Sequence, residues 1–318
     1  MKYIDINGKK YSSIGLGTAR YGTIISEENA FELLDCFVDY GGNFIDTARN
    51  YYSWGENGRG ISEKTIGRWI SLRGHRDMIR ICTKGGMTGE GKDSLVNLSR
   101  KNLFNELNES LEALQTDYLD VYLLHKDETD RPVGEIMETL MCIKDTVKAD
   151  IIGVSNWKID RIKEANKYAE SHSLDRISAV STMWSIAEYT QNFWDDPRTT
   201  GMDHEMYTYM LDEGLLAIAF SSQAKGFFQK AIKYGVENLD PFLLYRVGTE
   251  NNKKRVCEIK DYCDKFGIPP TAVVTGYITD NRLNGIALVG CNTIEQLKDI
   301  LESCDETIDN KWIEQFDV

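Results

Sequence analysis

Residues 43–52 read N-F-I-D-T-A-R-N-Y-Y, a short apolar run that stops at Asp46 and is followed by a pair of tyrosines. Short apolar runs with β-branched residues are typical of strands buried on both faces, as in parallel sheets. Seven more runs of this kind occur along the chain. The eight predicted strands are Ser13–Gly17, Asn43–Asp46, Ile79–Lys84, Leu119–His125, Ile151–Ser155, Ala179–Met183, Leu216–Phe220 and Ile286–Val289.

Segments with helical periodicity lie between these runs, with apolar residues recurring along one stripe. The predicted helices are Glu27–Tyr40, Asn102–Leu114, Val133–Lys144, Lys158–Ser171, His204–Glu213, Asn251–Phe266, Thr271–Thr279 and Ile294–Ser303. Strands that alternate with helices, without a break in composition, predict an α/β fold: a (β/α)8 TIM barrel, a single domain over residues 1–318. Asn7-Gly8 predicts the turn of an N-terminal β-hairpin that caps the barrel floor.

The charge and the cysteines argue against several classes of partner and site. The 318 residues carry a formal net charge of −13, which repels nucleic-acid backbones and anionic membranes. The seven cysteines stand singly, so neither a disulfide framework nor a metal site is predicted. No signal peptide and no apolar run of the roughly 20 residues that span a bilayer is recognisable. We therefore expect a cytoplasmic, metal-free protein that acts on a small molecule, as a monomer or homo-oligomer.

Polar residues follow three neighbouring strands where chemistry gathers in such barrels, at the C-terminal strand ends. Asp46, Lys84 and His125 end the second, third and fourth predicted strands, and Tyr51 lies in the loop after the second. Each residue alone has an ordinary structural explanation: a turn aspartate, a lysine that reaches water, a buried histidine. Together, these four residues, which we call the tetrad, form a coherent set for proton transfer.

The tetrad predicts protonation of a substrate oxygen. Tyrosine has an ordinary pKa of about 10, too high for an ideal acid at neutral pH. A nearby ammonium is expected to lower that pKa, and a carboxylate to hold the ammonium in place. A neutral imidazole can donate a hydrogen bond to the same oxygen. The set includes no source of hydride, so a cofactor must supply it.

Four segments, F-I-D-T-A-R-N-Y, C-T-K-G-G, Y-L-L-H-K-D and I-I-G-V-S-N-W, in this order and spacing resemble the aldo-keto reductase superfamily. The resemblance runs from about Ile14 to Cys304. It implies that Tyr51, five residues after Asp46, is the general acid and base, with Lys84 and His125 beside it. It also implies interconversion of a carbonyl and an alcohol with a nicotinamide cofactor.

The same resemblance implies which residues hold the cofactor, from the nicotinamide at the strand ends to the adenosine phosphate near the last loop. The implied cofactor-binding residues are Gly17, Thr18, Ala19, Asp46, Ser155, Asn156, Ser181, Phe220, Ser221, Ser222, Gln223, Lys225, Gly290, Asn292 and Gln296. Three of them depart from the family pattern. Ser181 stands where glutamine is frequent, Ser222 replaces a proline, and Gln296 replaces an arginine that clamps the 2′-phosphate in many members.

The cofactor expected from this pattern is NADP(H), with NAD(H) as the alternative. Gln296 is shared with the branch that resembles potassium-channel β subunits, and that branch binds NADPH. The implied substrate-binding residues are Trp54, His125 and Trp184, and three loops are expected to set the substrate: Ser53–Gly60, Ile186–Thr200 and Phe228–Gly248. The same branch leaves a second function open, a cofactor-binding redox sensor or regulatory subunit with little turnover.

Overall fold

The computed structural model describes residues 1–53, 58–89, 94–147, 149–190, 193 and 196–316. Eight parallel strands close into a barrel, and they follow one another around it in chain order. The predicted (β/α)8 fold is confirmed. The described strands are β1 (Tyr3–Ile6), β2 (Lys9–Ser12), β3 (Ile14–Gly17), β4 (Phe44–Asp46), β5 (Arg80–Gly85), β6 (Met87–Thr88), β7 (Leu95–Val96), β8 (Val121–Leu124), β9 (Ile151–Ser155), β10 (Ala179–Met183), β11 (Leu216–Phe220) and β12 (Gly285–Val289).

The barrel strands are β3, β4, β5 and β8 to β12, and α-helices cover them on the outside. Each of the eight predicted helices is confirmed to within a few residues. No helix in the described ranges has the length and apolar character needed to cross a membrane. The described helices are α1 (Glu27–Asp39), α2 (Ile61–Arg73), α3 (Arg100–Leu114), α4 (Val133–Val147), α5 (Ile159–Ser171), α6 (His204–Asp212), α7 (Phe227–Tyr234), α8 (Pro241–Val247), α9 (Glu250–Phe266), α10 (Pro270–Thr279), α11 (Ile294–Leu301) and α12 (Asn310–Ile313).

The N-terminal hairpin covers the floor of the barrel, as predicted. β1 and β2 pair antiparallel, and the turn between them uses the left-handed conformation at Asn7 (φ 53°) and Gly8 (φ 77°). Tyr11 from β2 is fully buried and packs against Phe44 inside the barrel, with 6.2 Å between the ring centroids. An aromatic side chain therefore closes the end of the barrel opposite the C-terminal strand ends.

Helix α2 was not predicted, because the face that it buries is polar. Ser62, Glu63 and Thr65 point into the protein together with Ile66 and Trp69, so no apolar stripe marks the helix. Gly67 adds a second irregularity, since a Cβ there would lie 2.1 Å from the carbonyl oxygen of Ala113 on α3. The two helices approach too closely at this point for any side chain.

The prediction that Phe228–Gly248 is a loop is wrong, because α7 extends through its first residues and α8 lies within it. Helix α7 has only eight residues and is capped by Gly235, so its apolar pattern is too short to stand out. Helix α8 begins with a recognisable signal. The Asp240 side chain accepts the backbone N–H of Phe242 at 2.7 Å, and Pro241 occupies the first helical turn.

Candidate active site

Asp46, Tyr51 and Lys84 meet at the C-terminal ends of β4 and β5. Lys84 Nζ donates to Asp46 Oδ1 and, at 2.8 Å, to the Tyr51 hydroxyl. The Tyr51 hydroxyl donates in turn to Asp46 Oδ2 at 2.7 Å. Both charged groups are almost fully buried, with 1% of Asp46 and 3% of Lys84 exposed. The three side chains form a closed triangle, so each fixes the position of the other two.

Side-chain alternation along the strands explains why these residues face inward. Phe44 and Cys82 belong to the apolar cluster inside the barrel, and Asp46 and Lys84 follow them by two residues on the same strands. Residues two apart on a strand point to the same side. The barrel interior is therefore apolar at the floor and becomes polar one step nearer to its mouth.

His125 completes the predicted tetrad from the end of β8. Its ring centroid lies 5.7 Å from that of Tyr51, with the two rings at 76° to each other. Its backbone N–H donates to the Gly85 carbonyl at 2.9 Å, which ties it to β5. Its Nδ1 atom is buried and has no hydrogen-bond partner in the protein. Burial and the Lys84 charge hold the pKa of His125 well below its ordinary value, so the imidazole is neutral at physiological pH.

The pKa of Tyr51 is raised, because burial and the Asp46 charge outweigh the effect of Lys84. The prediction that the ammonium lowers this pKa is therefore wrong in its net direction, although Lys84 does act in that sense. For Lys84 itself, burial favours the neutral amine, but the Asp46 carboxylate overcomes it and the pKa is raised. Tyr51 thus keeps its proton and Lys84 its charge at neutral pH.

A second layer of buried hydroxyl groups holds Asp46 in place. The Thr18 backbone N–H and hydroxyl both donate to the Asp46 carbonyl, at 3.0 and 2.8 Å. Thr47 and Ser62 extend this network, with 2.9 Å between their hydroxyl oxygens, and Lys84 Nζ donates to the Thr47 carbonyl at 3.0 Å. Thr18 is one of the residues expected at the cofactor, and its hydroxyl is bonded within the protein, where it supports Asp46.

Ser155, Asn156 and Ser181 lie together at the ends of β9 and β10. Ser155 is paired with Ser181 in the sheet register, and the Asn156 backbone N–H donates to the Ser181 carbonyl at 3.1 Å. The Asn156 amide donates to Ser155 Oγ at 2.9 Å and to the His125 carbonyl at 3.2 Å. Ser181 is fully buried, and its hydroxyl has no partner in the protein. A buried polar atom without a partner fits a ligand that brings a hydrogen-bonding group, such as a carboxamide.

The loop after β11 has an unusual backbone. Ser221, Ala224, Lys225 and Gly226 all have positive φ, between 45° and 74°. Phe220, half-buried, precedes this loop, and Gln223 lies within it. Such consecutive turns form concave surfaces that suit anions. The loop also carries a cation, because the Lys225 side chain is exposed. Its ammonium lies 5.5 Å from the centroid of Phe193.

Ser222 fixes this loop to the next strand of the barrel. Its hydroxyl is buried and donates to the Leu288 carbonyl of β12 at 2.6 Å. This bond gives a physical role to a serine that departs from the family pattern. Gly290 lies just beyond β12, and a Cβ there would meet no atom within 4 Å. The space next to the Gly290 backbone is therefore open.

Asn292 and Gln296 lie on the surface at the start of α11. Thr293 caps the helix by accepting the Gln296 backbone N–H, and the Gln296 side chain accepts the backbone N–H of Asn292, the residue before the cap, at 2.9 Å. Arg20 Nη1 donates to Asn292 Oδ1 at 3.1 Å. Sequence reasoning missed this arginine, although it directly follows Gly17-Thr18-Ala19. The structure thus places one cation beside the position where the family arginine is absent.

The structure does not bring Trp184 to the mouth of the barrel. This side chain is 2% exposed and packs in the helix layer against Tyr207 and Tyr277, with centroid distances of 6.1 and 5.8 Å. Trp54, the other expected substrate contact, lies outside the described residues. Of the three predicted substrate residues, His125 lies beside the Tyr51 ring.

The site is equipped for acid–base chemistry at one oxygen atom. It offers a protonated phenol, a buried ammonium beside it and a neutral imidazole, which together can protonate an oxygen and stabilise the charge that remains. Among the described residues, no group of three or more histidine, cysteine, aspartate or glutamate side chains could hold a metal ion.

Comparison with known proteins gives a consistent result. A model of the Aldo/keto reductase family matches residues 13–318. Norsolorinic acid reductase stcV of Emericella nidulans is 27% identical over 307 residues, 92% of this chain and 73% of that protein. The uncharacterized oxidoreductase YrpG of Bacillus subtilis is 28% identical, covering 97% of this chain and 92% of its own. Aryl-alcohol dehydrogenase GME11368 of Pestalotiopsis microspora is 29% identical, covering 87% and 69%.

Proposed function

The chain belongs to the aldo/keto reductase family and is an oxidoreductase, and from this premise we propose that it interconverts a carbonyl and an alcohol by hydride transfer. The hydrogen-bonded triangle of Asp46, Tyr51 and Lys84 carries the proposal. It holds a protonated phenol beside a buried ammonium, next to the neutral ring of His125.

The four side chains then have distinct roles in reduction. Tyr51 gives its hydroxyl proton to the substrate oxygen, which requires that this proton turn away from Asp46 Oδ2. Lys84 stabilises the phenolate that remains, and Asp46 keeps the ammonium in place. Neutral His125 donates a hydrogen bond to the same substrate oxygen and so orients the carbonyl. In alcohol oxidation the same groups work in reverse, with Tyr51 as the base.

A bound nicotinamide cofactor supplies the hydride, which none of these side chains can provide. Ser155, Asn156 and Ser181 would hold its carboxamide, a role supported by the unpartnered hydroxyl of Ser181. Phe220 would lie against the ring, with Gly17 and Ala19 at the first strand end. The left-handed loop at Ser221, Gln223 and Lys225 would hold the diphosphate.

We propose NADP(H) as the preferred cofactor, with NAD(H) as the alternative. Asn292 and Gln296 would lie at the adenosine phosphate, with Gly290 beside them, and Arg20 supplies a cation there. Hydrogen bonds to a charged group contribute about 1.5–3 kcal/mol each, but solvent weakens them at an exposed site. The expected preference is therefore modest.

The proposed substrate is a small-molecule aldehyde, ketone, sugar or the corresponding alcohol. The names of two relatives, an aryl-alcohol dehydrogenase and a norsolorinic acid reductase, favour aromatic compounds as the first to be tested. A cytoplasmic location is part of the proposal, and seven free cysteines, six of them partly or fully buried, are compatible with a reducing compartment.

The proposal is tested by measuring the oxidation of NADPH, and separately of NADH, in the presence of aryl aldehydes, aliphatic ketones and sugars. We expect many turnovers per protein molecule with at least one aldehyde. A single slow turnover, with tight cofactor binding, would instead support the redox sensor or regulatory subunit.

A further inference from the structure

Arg49 ties the loop that carries Tyr51 to the outside of the barrel. Its backbone N–H donates to the Lys84 carbonyl at 3.0 Å. Its guanidinium turns outward, and Nη1 lies 3.2 Å from Glu63 Oε2 on α2. The Glu63 side chain is fully buried, with 0% exposed. A buried charged side chain therefore holds a residue that lies two positions before Tyr51.

The other oxygen of Glu63 reaches the strand that carries Lys84. Thr83 donates its hydroxyl to Glu63 Oε1 at 2.6 Å, and Thr83 directly precedes Lys84 on β5. Because side chains alternate along a strand, Thr83 points outward where Lys84 points into the barrel. The Glu63 carboxylate, outside the barrel, thus contacts Arg49 and Thr83. These residues lie close in the chain to Tyr51 and Lys84, whose side chains meet inside the barrel.

Gly60 shows how closely this arrangement is built. A Cβ at this position would lie 1.8 Å from Arg49 Nη1, and the residue has a left-handed φ of 77°. Any side chain would displace the guanidinium that reaches Glu63. The absence of a side chain at Gly60 therefore leaves the space through which Arg49 reaches α2.

A second arginine, Arg59, is held in a similar way, at a position that follows Tyr51 in the chain. Arg59 Nη2 donates to Glu106 Oε1 and to the Met87 carbonyl. Glu106 is 2% exposed, and its Oε2 accepts the Gly86 backbone N–H at 2.5 Å. Arg49 and Arg59, one before and one after Tyr51 in the chain, are therefore both attached to β5 or to the residues directly after it, each through a buried glutamate.

Buried ion pairs of this kind are often no more stabilising than apolar side chains of the same volume. Orientation is the contribution that an apolar pair could not make. We propose that Glu63 is a positioning residue that sets the Tyr51 hydroxyl against the Lys84 ammonium, acting through Arg49 and Thr83. This inference rests on the proposed function, because it concerns the acid of that reaction.

The test uses Glu63→Gln, which keeps the volume of the side chain and removes its charge. We expect kcat for carbonyl reduction to fall about tenfold or more, since small misplacements of reacting groups have large effects. The Kd for NADPH should stay within about twofold. A phenol held farther from the ammonium has a higher pKa, so the ascending limb of the pH profile for alcohol oxidation, on which Tyr51 loses its proton to act as the base, should move to higher pH.

The matched control changes Glu109, the other glutamate that forms an ion pair with Arg49. Arg49 Nε lies 2.9 Å from Glu109 Oε2, but the Glu109 side chain is 49% exposed. Glu109→Gln should leave kcat and the pH profile unchanged within about twofold. Thr83→Val removes one of the hydroxyl groups that donate to Glu63, since Ser110 also hydrogen-bonds this carboxylate. It should lower kcat less than Glu63→Gln and shift the pH profile in the same direction.

Several outcomes would overturn the inference. A folded Glu63→Gln protein with the wild-type kcat and pH profile excludes a positioning role. A loss of kcat and NADPH affinity together, with an unmoved pH profile, shows a merely structural role. If Glu63→Gln does not fold, a Thr83→Val enzyme with the wild-type kcat and pH profile excludes the positioning role. Tyr51→Phe separates the two ideas: if it stays active, the proposed function fails, whereas an inactive Tyr51→Phe beside an active Glu63→Gln refutes only this inference.

Discussion

The Tyr51 end and the Asn292 end of the site are built in opposite ways. At the first, Asp46 and Lys84 are buried and bonded to each other and to Tyr51. At the second, Asn292 and Gln296 lie on the surface, where the Gln296 side chain accepts the Asn292 backbone N–H and the Asn292 side chain accepts from Arg20. Water can replace a lost partner at the exposed end, whereas at the buried end nothing can. Substitutions should therefore have large effects at one end and small effects at the other.

Lys84→Met should produce the largest effect, on both stability and turnover. It leaves the Asp46 carboxylate buried without its counter-ion, which typically costs about 3–5 kcal/mol of unfolding free energy. It also removes the charge that stabilises the phenolate, so turnover should fall at least about 100-fold. Urea unfolding and steady-state kinetics measure the two effects.

The control for this prediction is an exposed lysine in a similar ion pair. Lys260 lies 2.5 Å from Asp264 on α9, and 53% of its side chain is exposed. Lys260→Met should change neither stability nor turnover measurably. Equal effects of the two substitutions would contradict the contrast between buried and exposed charges.

His125 should make the stability of the protein depend on pH. Its pKa in the folded protein lies below the value of about 6.5 expected for the unfolded chain. The neutral ring therefore contributes stability above pH 6.5, and this contribution is lost as the pH falls below that value, by up to about 1.4 kcal/mol per pH unit. His125→Gln should reduce the fall in unfolding free energy between pH 6.5 and pH 5.

A His125→Gln protein with the wild-type slope would show that the imidazole is not held neutral by its surroundings.

Arg20→Ala should have the smallest effect, limited to the cofactor. We expect the Kd for NADPH to rise about threefold at low ionic strength, because one exposed charge contact typically contributes up to about 1 kcal/mol. The Kd for NADH should not change, and the difference should shrink in 0.5 M salt, a condition chosen to screen exposed charges. Fluorescence titration of both cofactors measures it. A tenfold or greater loss of NADPH affinity would show that the exposed end is as tightly built as the buried one.

The same contrast explains what the sequence could and could not predict. The eight barrel strands were recognisable because both their faces are buried, and the tetrad because its residues end three of those strands or follow one. Helix α2 was not recognisable, because it buries Ser62, Glu63 and Thr65. Nothing in the sequence indicates that Glu63 and Glu106 are buried, since glutamate is almost always exposed unless paired, and both partners lie far away along the chain.

The pKa of Tyr51 could not be predicted for a related reason. The sequence shows that an ammonium and a carboxylate lie nearby, but the net shift depends on burial and on which of the two charges is stronger at the phenol. Likewise, the position of Trp184 after β10 agreed with a substrate contact, although the side chain turns into the helix layer. Strand ends place a backbone, whereas packing decides where a large side chain goes.

Replacement of Tyr51 by phenylalanine tests the central claim most directly. The substitution removes one hydroxyl group and keeps the ring, and Tyr52→Phe serves as the matched control from the adjacent position. We predict that Tyr51→Phe loses at least about 100-fold in kcat for carbonyl reduction, the range expected for general acid catalysis. It should still bind NADPH with a Kd within about twofold of the wild type, and Tyr52→Phe should retain full activity. A Tyr51→Phe enzyme with most of the wild-type turnover would contradict the account.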